Sequence, residues 1–145
     1  MKFTVESVNI AAKKGTQKHE VPEIVCRAEY GIEGDAHAGA WHRQVSLLAG
    51  EAVDTMKAKG LELAAGAFGE NIVTRGADWL QARVGQAIVI GSAELEITQI
   101  GKECHSRCAI YYAAGDCIMP RQGIFARVKK GGTIHAQDSG DHRIG

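Results

Sequence analysis

Apolar and polar residues alternate along much of this chain, the period of half-buried strands rather than of helices. Phe3, Val5, Val8 and Ile10 follow it with a one-residue phase slip at Glu6-Ser7, which reads as a bulge. Val21 to Ala28 is a second strand, with Pro22 at its start, where a missing N–H does least harm. Ala87 to Ile90 and Ala93 to Ile100 flank Gly91-Ser92 and read as a hairpin with a two-residue turn. Ile124 to Val128 and Thr133 to Ala136 are expected to pair across Lys129 to Gly132. One segment has helical spacing. Ser46 is placed to cap it, Leu48, Ala52, Val53 and Met56 form an apolar stripe, and Gly60 can end it, so a helix is expected over Ser46 to Lys59. Gly115, Pro120 and Gly123 argue against regular structure through the segment that holds Cys104, Cys108 and Cys117. Many short strands, glycine-rich turns, one principal helix and short helical turns predict a mainly β (α+β) fold. A small barrel or sandwich is expected, spanning residues 1–145 as a single domain.

Composition narrows the functions open to such a fold. At 145 residues the chain can bury a core without staples. Its formal net charge is zero, which predicts no broad attraction to nucleic acid or to an anionic membrane, so any anion site must be local. No apolar run approaches the roughly 20 residues needed to cross a bilayer. The first ten residues alternate and carry Glu6, unlike the apolar core of a signal peptide. A cytoplasmic location is therefore expected, where cysteines stay reduced and are more often ligands or nucleophiles than disulfides.

The candidate chemistry concentrates between Gly101 and Val128. Cys104, Cys108 and Cys117 lie there among Lys102, His105, Arg107, Arg121 and Arg127, a cationic setting that favours the thiolate. Metal ligation is the other reading: Cys104, His105, Cys108 and Cys117 include a Cys-x3-Cys spacing seen in zinc sites, although a second cysteine pair is missing. Cys26, between Val25 and Arg27, reads as a buried small hydrophobe. A second constellation runs from Gly31 to Gln44, where glycines admit close backbone approach and Asp35, His37, His42 and Arg43 offer hydrogen bonds or charge. It does not match the Gly-x4-Gly-Lys-Ser/Thr phosphate loop. His37 and His42 serve equally well as turn hydrogen-bonders. A third feature, Phe68-Gly69-Glu70-Asn71-Ile72-Val73, puts two polar side chains beside a glycine at the mouth of an apolar run. The simplest reading of Tyr111 and Tyr112 is wall packing, of His19, His135 and His142 a solvated surface, and of Arg75, Lys129 and Lys130 loop charge.

These pieces in order resemble a stand-alone MOSC domain, the C-terminal domain of molybdenum-cofactor sulfurases. The resemblance is carried by Gly-Ile-Glu-Gly-Asp-Ala-His, Arg-Gln-Val-Ser-Leu-Leu, Phe-Gly-Glu-Asn-Ile, Val-Gly-Gln-Ala-Ile-Val-Ile-Gly and Gly-Lys-Glu-Cys-His, from about Gly31 to Asp138. It implies a β-barrel-like fold and a cysteine after the long hairpin strand that carries sulfur as a persulfide or touches the molybdenum cofactor. Cys108 best matches that cysteine, and Cys117 falls near a more variable family position. Two departures stand out. Many members place proline before the key cysteine, where this chain has Arg107, and a later turn that reads Gly-Asp in many relatives is Gln137-Asp138 here.

The resemblance also frames the mechanism. The large sulfurases carry a pyridoxal-phosphate-binding domain, which this chain lacks, so a separate cysteine desulfurase or another sulfur donor is the expected partner. Cys108 would take the sulfur, with His105 or Arg107 stabilising the anion, and pass it to a molybdoenzyme or cofactor acceptor. Asp35, His37, Arg43, Lys102, Arg121 and Cys117 are the expected cofactor contacts, the cations holding the pterin phosphate. Two alternatives stay open. Cys108 can ligate molybdenum directly in a small reductase fed with electrons from outside, or the chain can be a cofactor-binding chaperone in which the thiol is idle.

Overall fold

The computed structural model describes residues 1–101 and 122–144. Eleven strands and one helix are described: β1 (Lys2–Ile10), β2 (His19–Val21), β3 (Glu23–Arg27), β4 (Gly31–Ile32), β5 (Val45–Ala49), α1 (Gly50–Lys57), β6 (Ile72–Arg75), β7 (Ala87–Ile90), β8 (Ala93–Ile100), β9 (Ile124–Lys130), β10 (Gly132–His135) and β11 (Ser139–Arg143). A short 3-10 turn covers Trp79–Gln81. Seven strands pair in the order β11-β7-β8-β9-β5-β6-β1 and the ring closes through β1 and β11. The β5–β6 pair is parallel, so the barrel is mixed. β2 pairs with Val8 to Ile10 of β1, beyond the stretch that β11 pairs, and β10-β3-β4 form a second sheet. The mainly β, barrel-like expectation therefore holds.

Alternation explains most of the barrel wall. Ile88 and Ile90, and Leu95 and Ile97, are fully buried, while Val89, Glu94 and Glu96 between them are only half-buried. Their hairpin pairs Ile90 with Ala93 across Gly91-Ser92, as the two-residue turn requires. The phase slip in β1 is a real irregularity: register against β6 shifts between Val5 and Ser7, which lets both Val5 and Val8 reach the core.

Four expectations need correcting. The helix starts at Gly50, not Ser46, and Ala49 at its N-cap makes no side-chain capping bond. Ser46 and Leu48 belong to β5, between β6 and β9. That strand is buried on both faces: Val45 and Leu47 enter the barrel core, while Leu48 packs with Ala52, Val53, Met56 and Phe125 under the helix. The apolar stripe is real but is shared between a strand and a helix. Secondly, Pro22 does not begin one strand; it separates β2, paired with β1, from β3, paired with β10 and β4. Thirdly, β10 pairs with β3 rather than with β9, which lies between β8 and β5. Fourthly, His142 is buried (1% exposed), and Arg75, Lys129 and Lys130 end strands rather than lie in loops. Arg75 pairs with Glu6 and Asp54 and so ties α1 to the barrel.

β11 closes the barrel without one large apolar residue. Gly140 stands opposite Phe3 and Ile90, and a Cβ there would fall 2.2 Å from the Phe3 ring. Only glycine permits that approach. The terminal ammonium completes the seam by donating to the Asp141 carboxylate at 2.9 Å and the His142 carbonyl at 2.7 Å.

Candidate functional site

The loop after β4 is built on a buried carboxylate. Asp35 sits at a turn, its N–H bonded to the Ile32 carbonyl and its own carbonyl accepting from Ala38. The side chain points inward and is fully buried. Oδ1 accepts from Lys18 Nζ at 2.7 Å and from Ala11 N at 3.2 Å, and Oδ2 accepts from His37 N at 3.1 Å. Asp35 therefore holds the loop together. A buried charge needs such pairing, and here a buried ammonium supplies it.

Beyond Asp35 the loop lays an aromatic ring under a cation. Trp41 Nε1 donates to the His37 carbonyl at 2.7 Å, and the two rings stack at 6.2 Å and 12°. The Arg43 guanidinium lies 4.8 Å from the Trp41 ring centre and 5.7 Å from that of Phe125. Its Nε is buried with no hydrogen-bond partner. Lys14 approaches the same indole at 5.5 Å. Elsewhere the guanidinium groups of Arg27, Arg75 and Arg127 are matched by carboxylates. Among the described residues Arg43 has no such ion pair, and a guanidinium stacked on rings keeps its N–H edges available for a planar or tetrahedral anion.

The same loop is fastened to β8 and β9. Gln44 donates to the Gly39 carbonyl at 2.9 Å and accepts from Val128 N at 2.9 Å. The His42 ring meets Gln99 Oε1 at 2.9 Å, and the Thr98 hydroxyl donates to the His42 carbonyl. Gln99 in turn donates to the Gly101 carbonyl, and Gly101 N to the Gly123 carbonyl at 2.7 Å. The chain thus leaves β8 and re-enters β9 at one point, where the Arg43 loop touches it. Between these flanks lie Lys102, His105, Arg107, Cys108, Cys117 and Arg121, with Cys104, Tyr111 and Tyr112; all are outside the described residues. Of the expected contacts, the structure brings Asp35, His37 and Arg43 into one loop.

Nearby features are structural. A cleft of about 560 Å³ beside Trp41 and His42 contains Arg127, but Glu96 at 2.7 Å and Glu29 at 3.7 Å neutralise it. Glu70 accepts from Gly66 N and Phe68 N at 3.1 and 3.0 Å; burial pushes its carboxyl up from the usual range and those backbone bonds oppose the rise. Asn71 bonds to Asn9 and Ser46. Cys26 is buried in β3, and burial pushes its thiol up to about 12, as an inert core thiol requires.

Sequence reasoning passed over Lys18, Trp41 and Gln44. Trp41, an aromatic in a polar, glycine-rich loop beside Arg43, carried a usable signal. Lys18 sits in a run of polar residues and carried none.

Comparison with known proteins agrees with this architecture. A family profile described as MOSC domain matches residues 34–140. The crystal structure of the YUAD protein from Bacillus subtilis superposes with TM-score 0.78 at 19% identity, covering 97% of this chain and 94% of that one. YiiM from Geobacillus stearothermophilus gives TM-score 0.71 at 18% identity, covering 97% and 75%. YiiM from Escherichia coli gives 0.69 at 20%, covering 99% and 70%. No curated protein matches the sequence.

Proposed function

This chain belongs to the MOSC domain family, and on that premise we propose that it binds the molybdenum cofactor and carries sulfur as a persulfide on Cys108. The observation that carries the reading is Arg43: a guanidinium with no carboxylate partner among the described residues and an orphaned buried Nε, near the Trp41 and Phe125 rings and beside the ends of β8 and β9, between which Cys108 falls in the sequence. These donors fit a phosphorylated heterocycle, which asks for a cation at its phosphate and a flat apolar flank. Arg43 would hold the phosphate, assisted by Lys102, Arg107 or Arg121, with Trp41 shielding the ring system. When bound, the cofactor supplies a redox-active metal that can accept sulfur.

The chain's own chemistry is sulfur transfer. The Cys108 thiolate attacks the outer sulfur of a persulfide on a cysteine desulfurase or another donor. A new S–S bond forms at Cys108, the donor's S–S bond breaks, and the donor cysteine leaves as a thiolate, so no net oxidation occurs. His105 and Arg107 lower the cost of the attacking anion. A molybdoenzyme or free cofactor is the proposed acceptor, and the reducing cytoplasm is the proposed compartment. Among the described residues no helix is long and apolar enough to cross a membrane.

Intact mass after incubation with a cysteine desulfurase and cysteine tests the proposal. Wild type should gain one sulfur, Cys108→Ser should not, and Cys104→Ser and Cys117→Ser should still gain it. Competitive alkylation should rank Cys108 fastest and Cys26 slowest. No gain in wild type, or full gain in Cys108→Ser, would defeat the carrier reading.

A further inference from the structure

We propose that Lys18 is a positioning residue that fixes His37 as a neutral imidazole with its hydrogen on Nε2. Lys18 precedes β2 and is buried, its side chain only 1% exposed. Its backbone is seated by one close approach: Lys18 N donates to the Gly66 carbonyl at 2.9 Å, and a Cβ on Gly66 would lie 2.3 Å from the Lys18 carbonyl oxygen. The ammonium reaches two groups from there, Asp35 Oδ1 at 2.7 Å and His37 Nδ1 at 2.9 Å.

An ammonium has hydrogens to give and no lone pair to receive one, so Nδ1 of His37 must be the acceptor. A ring nitrogen that accepts carries no hydrogen, which leaves the hydrogen of the neutral ring on Nε2. Protonating Nδ1 would aim an N–H at another N–H and bring two positive charges within 2.9 Å. Among the described residues the charged groups facing the ring are Lys18 and Asp35, the latter with Oδ2 3.8 Å from Nδ1. Trp41 stacks on the ring, Lys14 lies 5.5 Å from the centre of that indole, and Glu70 interacts electrostatically with Lys18. His37 therefore meets its surroundings as a hydrogen-bond donor through Nε2, not as a cation and not as a metal ligand through Nδ1. The tautomer does not rest on the cofactor-site reading above.

Two-bond 1H–15N correlation spectra of the histidine-labelled full chain test this directly. Wild type at neutral pH should show His37 with a pyrrole-like Nε2 and a pyridine-like Nδ1. The Nδ1–H tautomer, or two pyrrole-like nitrogens, would overturn the proposal. In Lys18→Met the donor that occupies Nδ1 is gone and the Asp35 carboxylate is left facing it, so the Nδ1–H tautomer should become detectable; a His37 spectrum unchanged from wild type would also overturn it. Should that variant fail to fold, the wild-type spectrum still decides. Loss of sulfur loading with the tautomer intact would sink the carrier reading alone, and the wrong tautomer with loading intact would sink this one alone.

Discussion

Replacing Asn71 by alanine should cost about 3 kcal/mol of stability, several times what a surface amide contributes. Asn71 is 1% exposed and its amide joins two other strands. Oδ1 accepts from Ser46 N at 3.0 Å, and Nδ2 donates to the Asn9 carbonyl at 3.0 Å. Alanine removes both bonds and leaves the Ser46 N–H and the Asn9 carbonyl without these partners where Ser46 is 5% and Asn9 0% exposed. Each orphaned buried group costs about 1–3 kcal/mol, so two give roughly 2–6. Ser46→Ala is the control. It removes the hydroxyl contacts to Asn71 and Gly69 but leaves the Ser46 N–H bonded, so it should cost only about 1 kcal/mol. Urea unfolding with a common slope reads both, and the alanine variant at Asn71 should shift the midpoint by on the order of 1–2 M. A loss below about 1 kcal/mol would mean the two groups find other partners, and the argument from buried orphans would be wrong here.

Gln137 should be better as glycine: it holds φ +74, where an L side chain is strained, so Gln137→Gly should gain up to about 1 kcal/mol and raise Tm by a few degrees, read by calorimetry, while a fall in Tm would refute the strain. His142 should make the protein acid-sensitive. Burial first, then the terminal ammonium, holds its ring below the usual histidine range, partly offset by Asp141 and Asp78. The unfolded chain therefore takes up this proton first, so the stability it lends is complete above about pH 6.5 and falls as pH drops through the lower folded value. His142→Gln should flatten the loss of stability between about pH 7.5 and 5.5, and an unchanged slope would refute the assignment. Glu70, raised by burial, acts with the opposite sign in the more acidic window above its ordinary value, which is why the difference between variants is the quantity to compare.

The barrel was legible wherever one strand face meets the core and the other meets solvent. β7 and β8 show this best, since Leu95 and Ile97 alternate with Glu94 and Glu96 and the turn residues fix the register. β5 was not legible because both of its faces are buried, and Val-Ser-Leu-Leu-Ala fits a helix template as well as a strand. β11 gave no signal: Ser-Gly-Asp-His-Arg is a strand only because β1 and β7 offer it hydrogen bonds on both sides. The pairing of β10 with β3 depends on which sheet the chain joins after Gly132, a choice made by the rest of the fold.

The site divides along the same line. The loop itself was readable, because polar side chains in a glycine-rich stretch have few other reasons to be there. Lys18 was not, because its meaning is relational: a lysine in a polar run becomes a buried tautomer-setting group only when Gly66 lets its backbone approach and Asp35 receives its charge. Arg43 shows the converse. As a residue it looks like any loop cation, and its significance comes from having no carboxylate partner among the described residues, in a chain whose charges sum to zero. With 17 acidic and 17 basic side chains, a guanidinium beside two rings and without an acidic neighbour among the described residues is an imbalance that an incoming anion would correct. That imbalance lies beside the ends of β8 and β9, the two strands between which Cys108 falls in the sequence.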